Sequence, residues 1–228
     1  MIGIIGAMQL ETTAISEVLT EKQRCEYAGM TFLSGKLNGI DVVVSTCGPG
    51  KVFAAVCAQT MILKFHPEYL INIGVGGAIS PSLHVTDLAV ATSTVQHDMD
   101  TSPLGDPKGM ISQINRIHLP CDPVLIQSAR DAMADLGLKG EFGVIATGDQ
   151  FVDSVELKST LQSRFGAIAC DMEGGAIGHV CFINQVPYIV LRAISDNAED
   201  GAPVSFEAFA VAAAAQSVKL LTCMLKKL

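Results

Sequence analysis

Three places in the sequence put carboxylates where they could do chemistry. Glu11 follows the short apolar run Ile2-Gly3-Ile4-Ile5-Gly6. Asp171-Met172-Glu173 places two acids at the end of another apolar run, immediately before Gly174-Gly175. Ser195-Asp196 closes the run "YIVLRAISD". A carboxylate at a strand end costs little if solvated, but a buried one needs a partner or a task. Two carboxyls in unlike surroundings can divide the work of general acid and general base. Acids of this kind also serve in buried ion-pair networks, and spacing alone leaves both readings open.

The elements that must hold these groups alternate along the chain. Apolar runs at 2–5, 42–47, 69–74, 86–92, 141–147, 167–171 and 187–194 predict strands, most of them without polar alternation. Helical spacing predicts helices at 10–19, 51–64, 123–137, 154–165 and 174–185, and a long Ala-rich helix from Phe206 to the end. Continuous apolar strands separated by helices imply an α/β fold of three layers, a mainly parallel twisted sheet flanked by helices. No linker or repeat divides the chain, so residues 1–228 are expected to form a single domain. In such sheets ligands bind outside the carboxyl ends of the strands. That rim collects Gly6-Ala7-Met8 with Glu11, Cys47-Gly48-Pro49-Gly50, a glycine turn at Gly74-Val75-Gly76-Gly77, Thr147 to Phe151, Asp171 to Glu173, and Ser195-Asp196.

Composition removes several classes of function. The 228 residues carry a formal net charge of -8, which disfavours nucleic acid and anionic membrane surfaces. The start "MIGIIGAMQLE" has no basic segment, and no apolar run approaches the length of a membrane span, so no membrane association and a cytoplasmic location are expected. Seven cysteines form no CxxC pair and mostly lie in apolar segments, as reduced core thiols do. With 49% hydrophobic residues and a mean hydropathy of +0.40, the chain holds more core-type residues than a monomer of this size needs, which points to a buried subunit interface. "HDMD" at 97–100 offers metal-ligand types but has no companion cluster, and a solvated loop accounts for it.

Specific chemistries can be tested in turn. The first strand lacks the G-x-G-x-x-G spacing of a dinucleotide site. "CGPGKV" is a loose anion-binding turn but not a phosphate-binding P-loop. Of the five arginines, at 24, 116, 130, 164 and 192, only Arg192 falls near the rim. A site dominated by Glu11, Glu173 and Asp196 suits a nearly neutral, hydroxyl-rich substrate better than a multiply charged anion. Glycosyl cleavage fits, because carboxylates stabilise a sugar that becomes cationic in the transition state. Buried structural acids remain the competing account.

The motifs "IGIIGAM" with Glu11, "GPGKV", "NIGVGGA", "TGDQF", "DMEGGAIGHVC" and "VLRAISDNA" occur in one order from end to end. In this the chain resembles the 5′-methylthioadenosine/S-adenosylhomocysteine nucleosidases of the purine nucleoside phosphorylase-like superfamily, the match being weakest at 96–120. The resemblance implies that Glu11 activates water, Asp196 protonates adenine N7, and Met172-Glu173 hold the ribose. It implies that Phe151 stacks on the adenine, the Val152 backbone reads the base edge, and Gly77 lies in a turn beside the ribose. Met8, Met172 and Phe206 would line the 5′-alkylthio pocket, with Arg192 and Ser195 also at the substrate. It further implies a homodimer in which Pro103 and Leu104 close the partner's pocket, and no metal or organic cofactor. The alternatives are a related phosphorylase, a futalosine-type nucleosidase, or a purine-binding protein without activity. The phosphorylases carry arginines where this chain has "GAMQLE" and "YLINIGVGGA", which favours water as the nucleophile.

Three positions depart from the family pattern: Val75 where Ser is common, Pro49 for an aliphatic residue, and Gln9-Leu10 for an acidic pair. Val75 bears on specificity. His179, on an apolar helix, reads as a packing residue, His97 as a loop residue, and Cys170 as core. Asp171 alternates away from Met172 and is expected to serve the scaffold, capping the next helix. Arg192 reads equally as the orienting partner of Glu173 and as a structural ion pair.

Overall fold

The computed structural model describes residues 1–198 and 202–228. Its strands are β1 (Ile2–Gly6), β2 (Thr20–Tyr27), β3 (Met30–Leu37), β4 (Ile40–Thr46), β5 (Tyr69–Ala78), β6 (Leu88–Gln96), β7 (Leu119–Pro120), β8 (Gly140–Thr147), β9 (Ala167–Asp171) and β10 (Tyr188–Asp196). Its helices are α1 (Gln9–Val18), α2 (Lys51–Phe65), α3 (Pro123–Leu136), α4 (Val155–Phe165), α5 (Gly174–Asn184) and α6 (Ala202–Met224). The strands make one ten-stranded sheet. At its centre β1 lies parallel between β4 and β5, with Ile4 level with Val44 on one side and Ile71 on the other. All three of these residues are buried, which is why the strands read as unbroken apolar runs.

β5 is the branch point. Its first part lies between β1 and β10, both parallel to it, and its end pairs antiparallel with β9 through Gly77 and Ala78. Because β10 also pairs with β6, strands β5, β10, β6, β8 and β9 close into a ring. The Gly74–Gly77 segment is therefore strand, not the turn that the run of glycines suggests. Gly76 must be glycine for this crossing, because a Cβ there would meet the Cys170 carbonyl oxygen at 2.7 Å. Helices complete the layers: α1 and α3 pack against α6, and α2 packs against α5.

Two features depart from the sequence expectations. The antiparallel hairpin of β2 and β3 is added to β4 at the sheet edge, from residues to which no element had been assigned. Residues 208–227 form a helical stretch long and apolar enough to cross a membrane, contrary to the expectation that no such run exists. Its buried stripe of Ala210, Ala213, Ala214, Leu220, Leu221 and Met224 makes α6 a core helix against β5 and β10.

Candidate functional site

At the carboxyl ends of β1, β5, β9 and β10 lies a cavity of about 220 Å³. Glu11, Glu173 and Asp196 all line it, together with Met8, Gly77, Phe151, Val152, Met172, Ser195 and Phe206. Residues from both ends of the chain thus converge on one opening. Among the described residues, no lysine or arginine lines it.

Glu11 enters from the first turn of α1, close behind the extended Met8 that starts the helix. Its Oε2 accepts the backbone N–H groups of Ala7 at 2.6 Å and Met8 at 2.9 Å, and its Oε1 accepts that of Val75 at 3.1 Å. Three fixed donors set its position without any side-chain partner. Burial pushes its pKa above the ordinary carboxylate value, while Arg192 and these N–H groups pull it down. A methyl group at Gly74 would sit 2.7 Å from Glu11 Oε1 and 2.9 Å from Arg192 Nη1, so the glycine lets both charges approach the strand.

Asp196 ends β10 after a register shift against β5 between Ile194 and Asp196. Regular alternation would turn Ser195 and Asp196 to opposite faces, and the irregularity brings both into the cavity lining. Ser195 Oγ lies 2.9 Å from Asp196 Oδ2, and the Ala198 N–H donates to Oδ1 at 2.8 Å. Burial raises the pKa of Asp196, with these two bonds opposing it. Lys158 also pulls it down through its field, but burial outweighs these effects, so the proton is retained to higher pH than on a free aspartic acid.

Glu173 follows β9 and is 6% exposed. Its Oε1 accepts the Gly50 N–H at 2.9 Å, and its Oε2 stands 3.5 Å from Arg192 Nη2. Burial raises its pKa to about 7 despite Arg192, and the neighbouring Asp171 and Glu11 add to the rise. Asp171 is the nearer partner of the arginine, at 2.7 Å. It also accepts the hydroxyl of Thr147 and the N–H of Gly174, so it anchors the start of α5 as expected. Arg192 itself, 1% exposed, does not line the cavity. Its Nη2 also donates to Asn72 Oδ1 at 2.6 Å, and it stands behind Glu173 rather than at the substrate as its rim position suggested.

Phe151 is 40% exposed at the mouth, with Phe206 edge-on at 5.9 Å between ring centroids. Val152 is buried beneath. Pro103 and Leu104 lie in a short 3-10 turn outside the lining, with Leu104 85% exposed. His179 Nδ1 meets the Gln96 amide at 3.1 Å, a packing role. Cys170 lines the cavity, but burial drives its thiol pKa far up, which leaves no nucleophilic thiolate. The lining also includes Val75, expected to bear on specificity, and Ala7, Pro49, Gly76, Gln150 and Asp171, which were not among the anticipated contacts although each lies inside a motif that was singled out.

Among the described residues the site is thus an apolar-walled cavity with carboxylates from separate elements and no lining lysine or arginine, which suits a small neutral molecule better than an anion. The chain belongs to the phosphorylase superfamily, whose family model matches residues 1–226, and within it to the 5′-methylthioadenosine/S-adenosylhomocysteine nucleosidases. It is 37% identical to the nucleosidase of that name from Shewanella loihica, over 100% of this chain and 99% of the relative. It superposes with a TM-score of 0.96 on the Neisseria meningitidis nucleosidase in complex with methylthio-immucillin-A, at 32% identity over 100% of this chain and 99% of the other. Futalosine hydrolase of Helicobacter pylori is as similar in structure, with a TM-score of 0.96 and 37% identity over 100% and 97% of the two chains.

Proposed function

We propose that the protein hydrolyses the N-glycosidic bond of 5′-methylthioadenosine and S-adenosylhomocysteine, releasing adenine and the 5-thioribose product. The observation that carries this is the contrast between Glu11, pinned by three backbone N–H groups, and Asp196, which has one backbone N–H and its neighbour's hydroxyl. Three backbone donors and the field of Arg192 favour the ionised form at Glu11, and burial, outweighing Lys158 and two hydrogen bonds, favours the protonated form at Asp196. Glu11 then takes a proton from the attacking water while Asp196 delivers one to adenine N7, so the base leaves neutral. Glu173 holds the ribose hydroxyls and stabilises positive charge on the sugar. Phe151 stacks on the adenine, the Val152 backbone reads its edge, and Met8, Met172 and Phe206 enclose the 5′ group. Arg192 acts behind Glu173. The exposed Leu104 beside Pro103 supports the expectation of a homodimer in which this turn closes the partner's pocket.

Among the described residues, a lining without lysine or arginine, and with Glu11 in it, gives phosphate no counter-charge, which favours hydrolysis over phosphorolysis. The Helicobacter pylori likeness supports a second reading in which the same chemistry acts on futalosine. The test is incubation with methylthioadenosine, adenosylhomocysteine, futalosine, adenosine and inosine, with and without phosphate, resolving free base and sugar. Phosphate-independent adenine release from the thio-substituted nucleosides is expected. A sugar 1-phosphate product would overturn the hydrolytic reading, and cleavage of futalosine alone would move the 5′ specificity.

A further inference from the structure

Glu173 is held by a backbone amide, and what holds that amide lies outside the cavity. Gly50, whose N–H reaches Glu173, has a φ of 96°, and a Cβ there would meet Asp149 Oδ1 at 3.0 Å. The next amide along, that of Lys51, donates to Asp149 Oδ1 at 2.7 Å. Two consecutive N–H groups at the start of α2 thus serve two carboxylates, one from the ribose side of the site and one from the loop that carries Phe151 and Val152. Both acids suit the positive end of that helix. The Lys51 side chain then turns to Asp98, with Nζ 2.7 Å from Oδ1, and reaches Gln96 Oε1 at 3.4 Å. The other Asp98 oxygen accepts the Asp149 N–H at 2.9 Å. Lys51, Asp98 and Asp149 therefore close a ring of hydrogen bonds among the ends of α2, β6 and β8. Side-chain exposures of 20% for Lys51 and 28% for Asp98 shelter their ion pair from much of the solvent screening.

We infer that Lys51, Asp98 and Asp149 form a positioning latch, which fixes the Gly50 amide against Glu173 and in the same act fixes the base clamp at Phe151 and Val152. This rests on the nucleosidase reading and goes beyond it, since none of the three side chains lines the cavity. Ribose and base would then be gripped by one rigid unit, so loosening any member disturbs both ends of the nucleoside. Burial alone would push Asp98 up, but the Lys51 hydrogen bond and the Asp149 N–H outweigh it and hold Asp98 ionised at neutral pH.

The test uses Asp98→Asn, Lys51→Met, their combination, and Lys51→Arg as the conservative variant, with methylthioadenosine as substrate. Each of the first two should lower kcat/KM about tenfold or more, the weight of one charge-assisted hydrogen bond, through both kcat and KM. The pair should lose roughly no more than either alone, because they break one ring, and Lys51→Arg should restore activity to within about threefold of wild type. The acid limb of kcat/KM should move to higher pH. Glu173 is faced by Arg192 from β10, Asp171 from β9, Glu11 from α1 and Cys47 after β4, and without the Gly50 N–H it holds its proton more tightly. Additive losses, an unmoved acid limb, or near-wild-type kinetics in well-folded variants would overturn the latch, as would a fall in melting temperature that accounts for the whole loss. If Asp98→Asn does not fold, Lys51→Met carries the test alone. A wild-type enzyme that releases no adenine would instead remove the nucleosidase reading, and the latch with it.

Discussion

Replacing Glu173 by Gln should make the protein more stable above neutral pH while it loses turnover. Glu173 is raised from the ordinary 4.5 to about 7 in the folded chain. Between those values the folded state holds a proton that the unfolded chain has released, so stability falls as pH rises through the window. At 1.36 kcal/mol per pH unit, the full span costs about 3 kcal/mol by pH 8, with the side chain too buried for solvent to screen it. Gln cannot ionise, and its carbonyl can still accept the Gly50 N–H. It forfeits the Arg192 contact, but at 3.5 Å that bond is long, and Arg192 keeps Asp171 and Asn72. For a chain of this size, each kcal/mol moves Tm by roughly 2–4 °C. The Tm of Glu173→Gln minus that of wild type should therefore rise by about 5–10 °C between pH 5 and pH 8. Differential scanning calorimetry at the two pH values reads this directly. A difference that stays flat, or that falls as pH rises, would refute the reasoning, because it would mean that Arg192 keeps Glu173 ionised throughout.

Asp196→Asn should lower kcat by about a hundredfold or more, the usual weight of a lost general acid, while a non-hydrolysable substrate analogue binds within a few-fold by calorimetry. Gly77→Ala places a methyl 2.9 Å from Asp196 Oδ1 and 2.9 Å from Ala198 Cβ, so overpacking of about 1–3 kcal/mol should appear as a lower Tm along with reduced turnover. Arg192→Met removes the cation that Asp171 and Glu173 share, and breaking a buried pair of this kind should cost about 3–5 kcal/mol in urea unfolding.

The sequence displayed the buried half of this fold well and the exposed half poorly, for a physical reason. β1, β4, β5 and β10 are covered on both faces, so their apolar runs are continuous and their ends fall near the expected residues, except that β5 runs on through its glycines to Ala78. β2, "TEKQRCEY", is exposed along most of its length at the sheet edge and offers no apolar face to read. The signal that could have found the hairpin and its neighbour lies in the turns: Ala28-Gly29 and Asn38-Gly39 all have positive φ, and Asn-Gly between strands is a strong hairpin mark. At the site, the three principal acids were legible because each lies at or just after the carboxyl end of an apolar strand. Arg192 was placed near the rim because strand alternation does not tell how deep a long side chain turns back. Asp98 and Lys51 act through contacts between residues 47 positions apart, which no local pattern encodes.

The electrostatics of the site explain why the carboxylates are arranged at such cost. Among the described residues, Arg192 is the one cation in direct contact with Asp171 and Glu173, and it also lies within the field of Glu11. With all three acids ionised the cluster carries an excess of negative charge, and burial magnifies the repulsion. Burial raises the pKa of both Glu11 and Glu173, and at Glu173 the neighbouring Asp171 and Glu11 add to the rise. A neutral nucleoside does not relieve it. On the proposed nucleosidase reading, a sugar whose glycosidic bonding pair departs with the base does, since positive charge would then develop beside Glu173 and Glu11 in the buried cavity. On that reading the interaction is stronger in the transition state than with bound substrate, which is the condition for catalysis and not merely for binding. A site built only to hold purine nucleosides would gain nothing from three buried acids around one arginine, and would be more stable with Gln at position 173.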